Sequence, residues 1–189
     1  MRQIAIALLF LCAVAAGHLQ PALPAAADQN DARLDDLFVQ LKGTEDFEHA
    51  RRVEISIWRI WTASNDDAVN TLMVEGTTAM TDRDLHRALR YFDQVVAIAP
   101  DFAEGWNKRA TIYYLLGDYE ASLADIEKTL EREPRHFGAL AGRGLVLISL
   151  NRPQEALEAY EEALAIHPHL IGALQNAEIL RKILKDQQI

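Results

Sequence analysis

An interval of 34 residues runs through most of this sequence, with Pro100, Pro134 and Pro168 spaced by 34 and 34. The same interval links Leu72, Trp106, Leu140 and Leu174, and it links Gly76, Ala110 and Gly144. It also links Ala88, Ser122 and Ala156, and then Phe92, Ile126 and Tyr160. Each column keeps its size class. A period of this length marks a supersecondary unit that cannot bury its apolar face alone, so that neighbouring units must stack.

The apolar spacing within each unit is helical, and the columns have physical roles in a pair of helices. A small residue at Gly76, Ala110 or Gly144 lets the first helix approach the second, and Ala88, Ser122 and Ala156 do the same from the other side. The large residues Leu72, Trp106, Leu140, Phe92, Ile126 and Tyr160 fill the space around those contacts, each worth roughly 1.5–3 kcal/mol when fully buried. The prolines stop the second helix, while Gly117 and Asn151 suit the turn between helices in the second and third units.

This order of large, small, aromatic, small, aromatic and proline positions resembles the tetratricopeptide repeat family. The match is clearest in "GDYEASLADIEKTLEREP" (117–134) and "NRPQEALEAYEEALAIHP" (151–168). The resemblance implies an all-α fold, a right-handed α-solenoid of antiparallel helix pairs. The repeats are expected at 69–102, 103–136 and 137–170, followed by a C-terminal capping helix at 171–189 that covers the last repeat. Residues 34–64 predict a degenerate N-terminal helix pair turning at Lys42–Thr44, with Phe38 and Trp58 in register before Leu72 and Phe92. Trp58 and Trp61 share a helix face and are expected in the core. The family prefers leucine where this chain has Glu75, Arg109 and Arg143. One repeat of separation could pair Glu75 with Arg109, or the arginine stems could lie over apolar neighbours with their heads in water.

The chain begins with Met1 and Arg2, followed by an apolar run of 13 residues, "IAIALLFLCAVAA", too short for an independent membrane span. With the small residues Ala25 and Ala27 after Pro21 and Pro24, this predicts a signal peptide at 1–27 with cleavage after Ala27, then a flexible linker at 28–33. The expected location is periplasmic, with no stable membrane anchor after cleavage. A lipid-anchored alternative rests on Cys12, but bulky Leu11 precedes it. Cys12 is the one cysteine, so the mature chain holds none and needs no disulfide. Its formal charge moves from −9 to −10 when Arg2 is lost. With no long Lys/Arg cluster, this argues against nucleic acid.

No pattern of nucleophile and base, convergent acids or phosphate-cradling loop is present, so the chain reads as no enzyme with no cofactor. His136, His167 and His169 sit at inter-repeat turns. They lack regularly spaced Cys, Asp or Glu, so they read as solvent-facing turn residues rather than metal ligands.

The resemblance implies a function in binding a protein or peptide in the concave groove lined by the first helices. Helical geometry places Asn70, Met73, Thr77, Met80, Asn107, Thr111, Tyr114, Gly138, Ala141, Leu145 and Ile148 along it. Gly142, beside them, bares helical backbone where each glycine costs about 1 kcal/mol relative to alanine. This lining is mostly uncharged and suits an apolar segment. Family members that grip a C-terminal carboxylate use basic and amide groups where this chain has Met73, Thr77, Gly138 and Gly142, so no carboxylate clamp is expected. Leu145, Ile148 and Met80 face either a partner or the chain's own N-terminal helices. Structural self-association through the repeat ends is the alternative function, ahead of a metal-binding or enzymatic accessory role.

Overall fold

The computed structural model describes residues 28–186, and the expected signal peptide and its cleavage point lie outside them. Among the described residues there are nine helices: α1 (Arg33–Gly43), α2 (Phe47–Trp61), α3 (Asp67–Thr81), α4 (Leu85–Ile98), α5 (Ala103–Leu116), α6 (Tyr119–Arg132), α7 (Phe137–Ser149), α8 (Pro153–Ile166) and α9 (Ile171–Asp186). None is long and apolar enough to cross a membrane.

Local chemistry explains most of the boundaries. Asp46, Asp66, Asp84 and Asp118 cap α2, α3, α4 and α6, each carboxylate accepting from first-turn backbone N–H groups. Pro153 opens α8, where a missing N–H costs nothing. The turns inside the three repeats pass through a left-handed residue at 34-residue spacing: Arg83 (φ 62°), Gly117 (φ 83°) and Asn151 (φ 57°). Glycine and asparagine signal this turn in a sequence. Arginine does not, so the first-unit turn shows itself only in the structure.

The helices pack in chain order from α3 to α9, pairing as α3–α4, α5–α6 and α7–α8 with α9 covering α8. The small and large columns meet as expected, and their sizes compensate. A methyl at Gly76 would lie 2.7 Å from the buried Phe92 ring, and one at Gly144 would lie 2.6 Å from the Tyr160 ring. In the second unit Ala110 carries that methyl, and the partner column holds the smaller Ile126 in the same buried cluster. Ser122 Oγ donates to the Ala110 carbonyl at 2.8 Å, joining the second unit's two small-residue columns by a hydrogen bond.

The Glu75–Arg109 pairing is replaced by a stronger one. Arg109 forks onto Asp125 at 2.7 and 2.9 Å and onto Asp93 at 2.9 Å, with its guanidinium 4.9 Å from the Trp106 ring centroid. Planar bidentate geometry favours this arrangement over a single contact with a glutamate. Arg143 likewise reaches Glu162.

The N-terminal segments depart furthest from the repeat register. The core of α1 and α2, with Leu34, Leu41, Ile57 and Trp61, takes in Phe137, Ile166 and Leu170 from the third unit and its exit turn. Trp58, aligned in sequence with Phe92, lies over Gly138. The degenerate first unit therefore folds across the stack to the third repeat. Residues 28–33, expected as a linker, are tied down. Gln29 Nε2 donates to the Asp101 carbonyl at 2.6 Å, its Oε1 accepts from Ala103 N–H at 3.2 Å, and Asp31 is 2% exposed.

Candidate functional site

The N-terminal pair decides how much of the groove is open. Trp61 is fully buried and stacks on His136 with ring centroids 4.1 Å apart and planes 8° from parallel. His136 Nδ1 accepts from Ala139 N–H at 3.0 Å, capping α7, so its Nε2 carries the proton that Glu104 Oε2 accepts at 3.0 Å. Lys108 Nζ lies 3.2 Å from the other Glu104 oxygen and 5.9 Å from the Trp58 ring centroid. His169 Nε2 donates to the Thr44 carbonyl at 2.8 Å, and His167 Nε2 lies 3.3 Å from Glu54 Oε2. The turn histidines are thus not solvent-facing: His136 is 0% and His167 1% exposed, because α2 lies over them. Among the described residues no group of three or more His, Cys, Asp or Glu is placed to hold a metal ion.

Burial alone would raise the Glu104 carboxyl, yet His136, Lys108 and Asn107 outweigh it and hold the group below the ordinary glutamate range. A carboxyl lowered by folding stabilises the fold above its unfolded value, and that contribution is lost as pH falls through the lower folded value. Acid titration followed by tryptophan fluorescence is expected to show Trp58 and Trp61 losing their native signal below the unperturbed value of 4.5. In Glu104→Gln that pH dependence should flatten, and an unchanged acid profile would remove Glu104 from this account.

The groove residues then fall into groups. Asn70 closes on the linker, accepting from Ser64 N–H at 2.9 Å and donating to the Ser64 carbonyl at 2.8 Å. Met73, expected as lining, is 5% exposed and belongs chiefly to the first repeat's core, against which Met80 also packs. Val74, the next residue, is 65% exposed. Asn70, Met73 and Thr77 all line an open depression of about 540 Å³, together with Val74 and Lys108.

The structure brings Asn107, Thr111, Tyr114, Gly138, Gly142 and Leu145 around a smaller hollow of about 80 Å³. Ala141 is half-buried against the third repeat's core. Asn107 Nδ2 is engaged by Glu104 at 2.9 Å. A methyl at Gly138 would lie 2.7 Å from the Trp58 ring, whereas at Gly142 the nearest atom, Ile126 Cδ1, is 3.9 Å away. Leu145 and Ile148 remain 40% and 41% exposed. The N-terminal helices therefore cover the groove at Gly138 and leave it open from Gly142 to Ile148. Helical geometry alone puts Glu104 with Asn107 on the exposed groove, but the structure buries it at 1% exposure beneath α2, and no local pattern marks Trp58, Glu104 and Lys108 as the boundary of this surface.

A solenoid of 34-residue helix pairs with an open concave face defines a protein-interaction module rather than an enzyme. The chain belongs to the tetratricopeptide repeat family, whose pattern matches residues 73–128 and 108–171. A TPR repeat-containing protein of Rhizobium etli is 38% identical over 143 residues, covering 76% of this chain and 70% of the relative. Small glutamine-rich tetratricopeptide repeat-containing protein 2 of Saccharomyces cerevisiae is 28% identical over 122 residues, 62% of this chain but only 34% of that protein. The fold is similar to the Sgt2 TPR domain from Aspergillus fumigatus (TM-score 0.62, 22% identity, 65% of this chain and 83% of that one). It is equally similar to the first TPR domain of RPAP3, solved bound to an HSP90 peptide (TM-score 0.62, 17% identity, 64% of this chain and 96% of that one).

Proposed function

We propose that this chain is an exported, periplasmic adaptor that holds an apolar segment of another envelope protein along the groove from Gly142 to Ile148. The observation that carries this reading is the uncovered run of bare backbone and apolar side chains at Gly142, Leu145 and Ile148. An exposed apolar strip inside a concave surface suits apolar anchors of a partner. Peptide complexes of structurally similar domains, such as that of RPAP3 with an HSP90 peptide, support a peptide as the partner's form.

The groove's polar groups do not favour a carboxylate grip. Lys108 and Asn107 are both engaged by Glu104, and Met73 is buried. The export part of the proposal rests on the N-terminal sequence. It calls for a mature N-terminus at Asp28 in a periplasmic fraction.

The partner reading is tested by co-purification from envelope extract with the unaltered protein, Tyr114→Ala and Leu145→Glu. Leu145 is 40% exposed, so its replacement should leave the fold intact, whereas Tyr114 is half-buried against the second repeat's core and its variant is checked for folding by circular dichroism. At least a tenfold loss of the captured partner is expected for Leu145→Glu, which places a charge on the apolar strip. If both variants retain every partner at full yield, the groove is not the binding surface.

A further inference from the structure

Most of the helical glycines are demanded by packing. A methyl at Gly76, Gly105, Gly138 or Gly144 would lie 2.6–2.7 Å from the side chains of Phe92, Val95, Trp58 and Tyr160 respectively, closer than packed atoms approach. Gly43 is the last residue of α1 and Gly172 the second of α9, where glycine disturbs little of a helix. Gly142 fits neither case. It lies in the middle of α7, where only proline is a poorer helix former. A methyl there would meet nothing nearer than Ile126 Cδ1 at 3.9 Å, an ordinary contact.

What the missing side chain leaves is the hollow of about 80 Å³ between α5, α6 and α7. Its floor is Ala110, Ile126 and Val146, all 2% exposed or less, and Tyr114 and Leu145 stand beside it. The polar groups around it are committed. Asn107 Nδ2 donates to Glu104, Thr111 Oγ1 to the Asn107 carbonyl at 3.0 Å, and Ser122 Oγ to the Ala110 carbonyl at 2.8 Å. Each of these donors already has an acceptor, so an amide or carboxylate entering the hollow loses water without full replacement. Size is restrictive as well. An apolar cavity of about 150 Å³ holds a benzene ring, and this one has about half that volume.

We infer that the hollow is a selectivity pocket for one branched aliphatic side chain, of valine or leucine size, on the partner's apolar segment, and that Gly142 sets its depth. The inference rests on the groove reading above and names the side chain that groove selects. An aromatic ring is too large to seat fully, and an amide of leucine's shape is too polar. Gly142 gives up helix stability and leaves room for a guest.

Titration of the full protein with capped single residues, followed by ¹⁵N-edited NMR, tests this without the partner. Saturable shifts of the Gly142 and Val146 amides are expected with N-acetyl-leucine methylamide, leaving the Gly172 amide unmoved. The phenylalanine and asparagine analogues should bind about tenfold more weakly or not at all. Gly142→Ala should raise the urea midpoint, because helix propensity improves and the methyl fits. The same variant should weaken the leucine probe about tenfold, the scale of one methyl in an apolar pocket. A glycine with only a packing role would not give a more stable protein that binds less. No saturable shift with the leucine probe, equal affinity for either analogue, full affinity in Gly142→Ala, or a lowered urea midpoint for that variant would overturn the inference. Co-purification separates it from the groove reading. A partner lost with Leu145→Glu but captured at full yield by Gly142→Ala would leave the groove standing and remove the pocket.

Discussion

Trp61→Ala is expected to destabilise the protein by about 3–5 kcal/mol, the range for truncating a buried aromatic. Trp61 is 1% exposed and contacts three aromatic rings besides the neighbouring Trp58: His136 at 4.1 Å, Phe137 at 5.0 Å and Phe38 at 5.8 Å between centroids. Its removal leaves a void between α2 and α7 that these rings cannot fill without leaving their own contacts. The Trp61 indole N–H has no hydrogen-bond partner, so truncation orphans no polar group and the cost is one of packing. Urea unfolding measures it. The damage should concentrate at the N-terminal pair, with limited proteolysis cutting near Thr62–Asn65 before the repeats. A loss below about 1 kcal/mol, the size of an ordinary surface change, would mean that α2 is not held by this stack.

The second large effect is at the repeat's closest helix contact. Gly144→Ala places a methyl 2.6 Å from the Tyr160 ring, which is 1% exposed and hydrogen-bonded by Asn176 at 3.2 Å. The ring has no free direction in which to move, so overpacking should cost about 1–3 kcal/mol. The second repeat shows how the contact tolerates a methyl, with Ala110 and the smaller Ile126 in the same columns. Gly144→Ala combined with Tyr160→Ile should therefore be more stable than the sum of the two single changes implies. A double-mutant cycle should give a coupling of about 0.5–3 kcal/mol. Strict additivity would show that the two columns do not touch energetically.

Much of the repeat architecture was readable from residue type because each contact joins positions within one unit or between adjacent units. The Gly76–Phe92 and Gly144–Tyr160 contacts, the positive-φ turns at Gly117 and Asn151, and the prolines that end the second helices follow from the 34-residue register. Arg83 hid its turn, since nothing about arginine marks a left-handed residue. Met73 lines the open depression yet is only 5% exposed, because helical periodicity gives an angle around α3 but not the depth to which α3 sinks into its neighbours. Arg109 chose Asp93 and Asp125 over Glu75 because side-chain length and fork geometry, not repeat spacing, decide an ion pair.

The N-terminal half of the story was not readable in the same way. The contacts that place α1 and α2 join residues far apart in the chain: Gln29 with Asp101 and Ala103, Asp35 with Arg135, Thr44 with His169. None leaves a periodic trace. Three turn histidines that read as solvated became interface groups only when the N-terminal helix pair lay over them.

The sequence by itself determined a stack of three helix pairs with a capping helix, since repeated local spacing encodes contacts between neighbours. Only the tertiary structure decided that the first helix pair crosses to the third repeat, covering Gly138 and leaving Gly142 bare. That placement depends on the fit of one rigid aromatic surface against another, Trp58 and Trp61 against His136 and Phe137, which is a property of shape rather than of period.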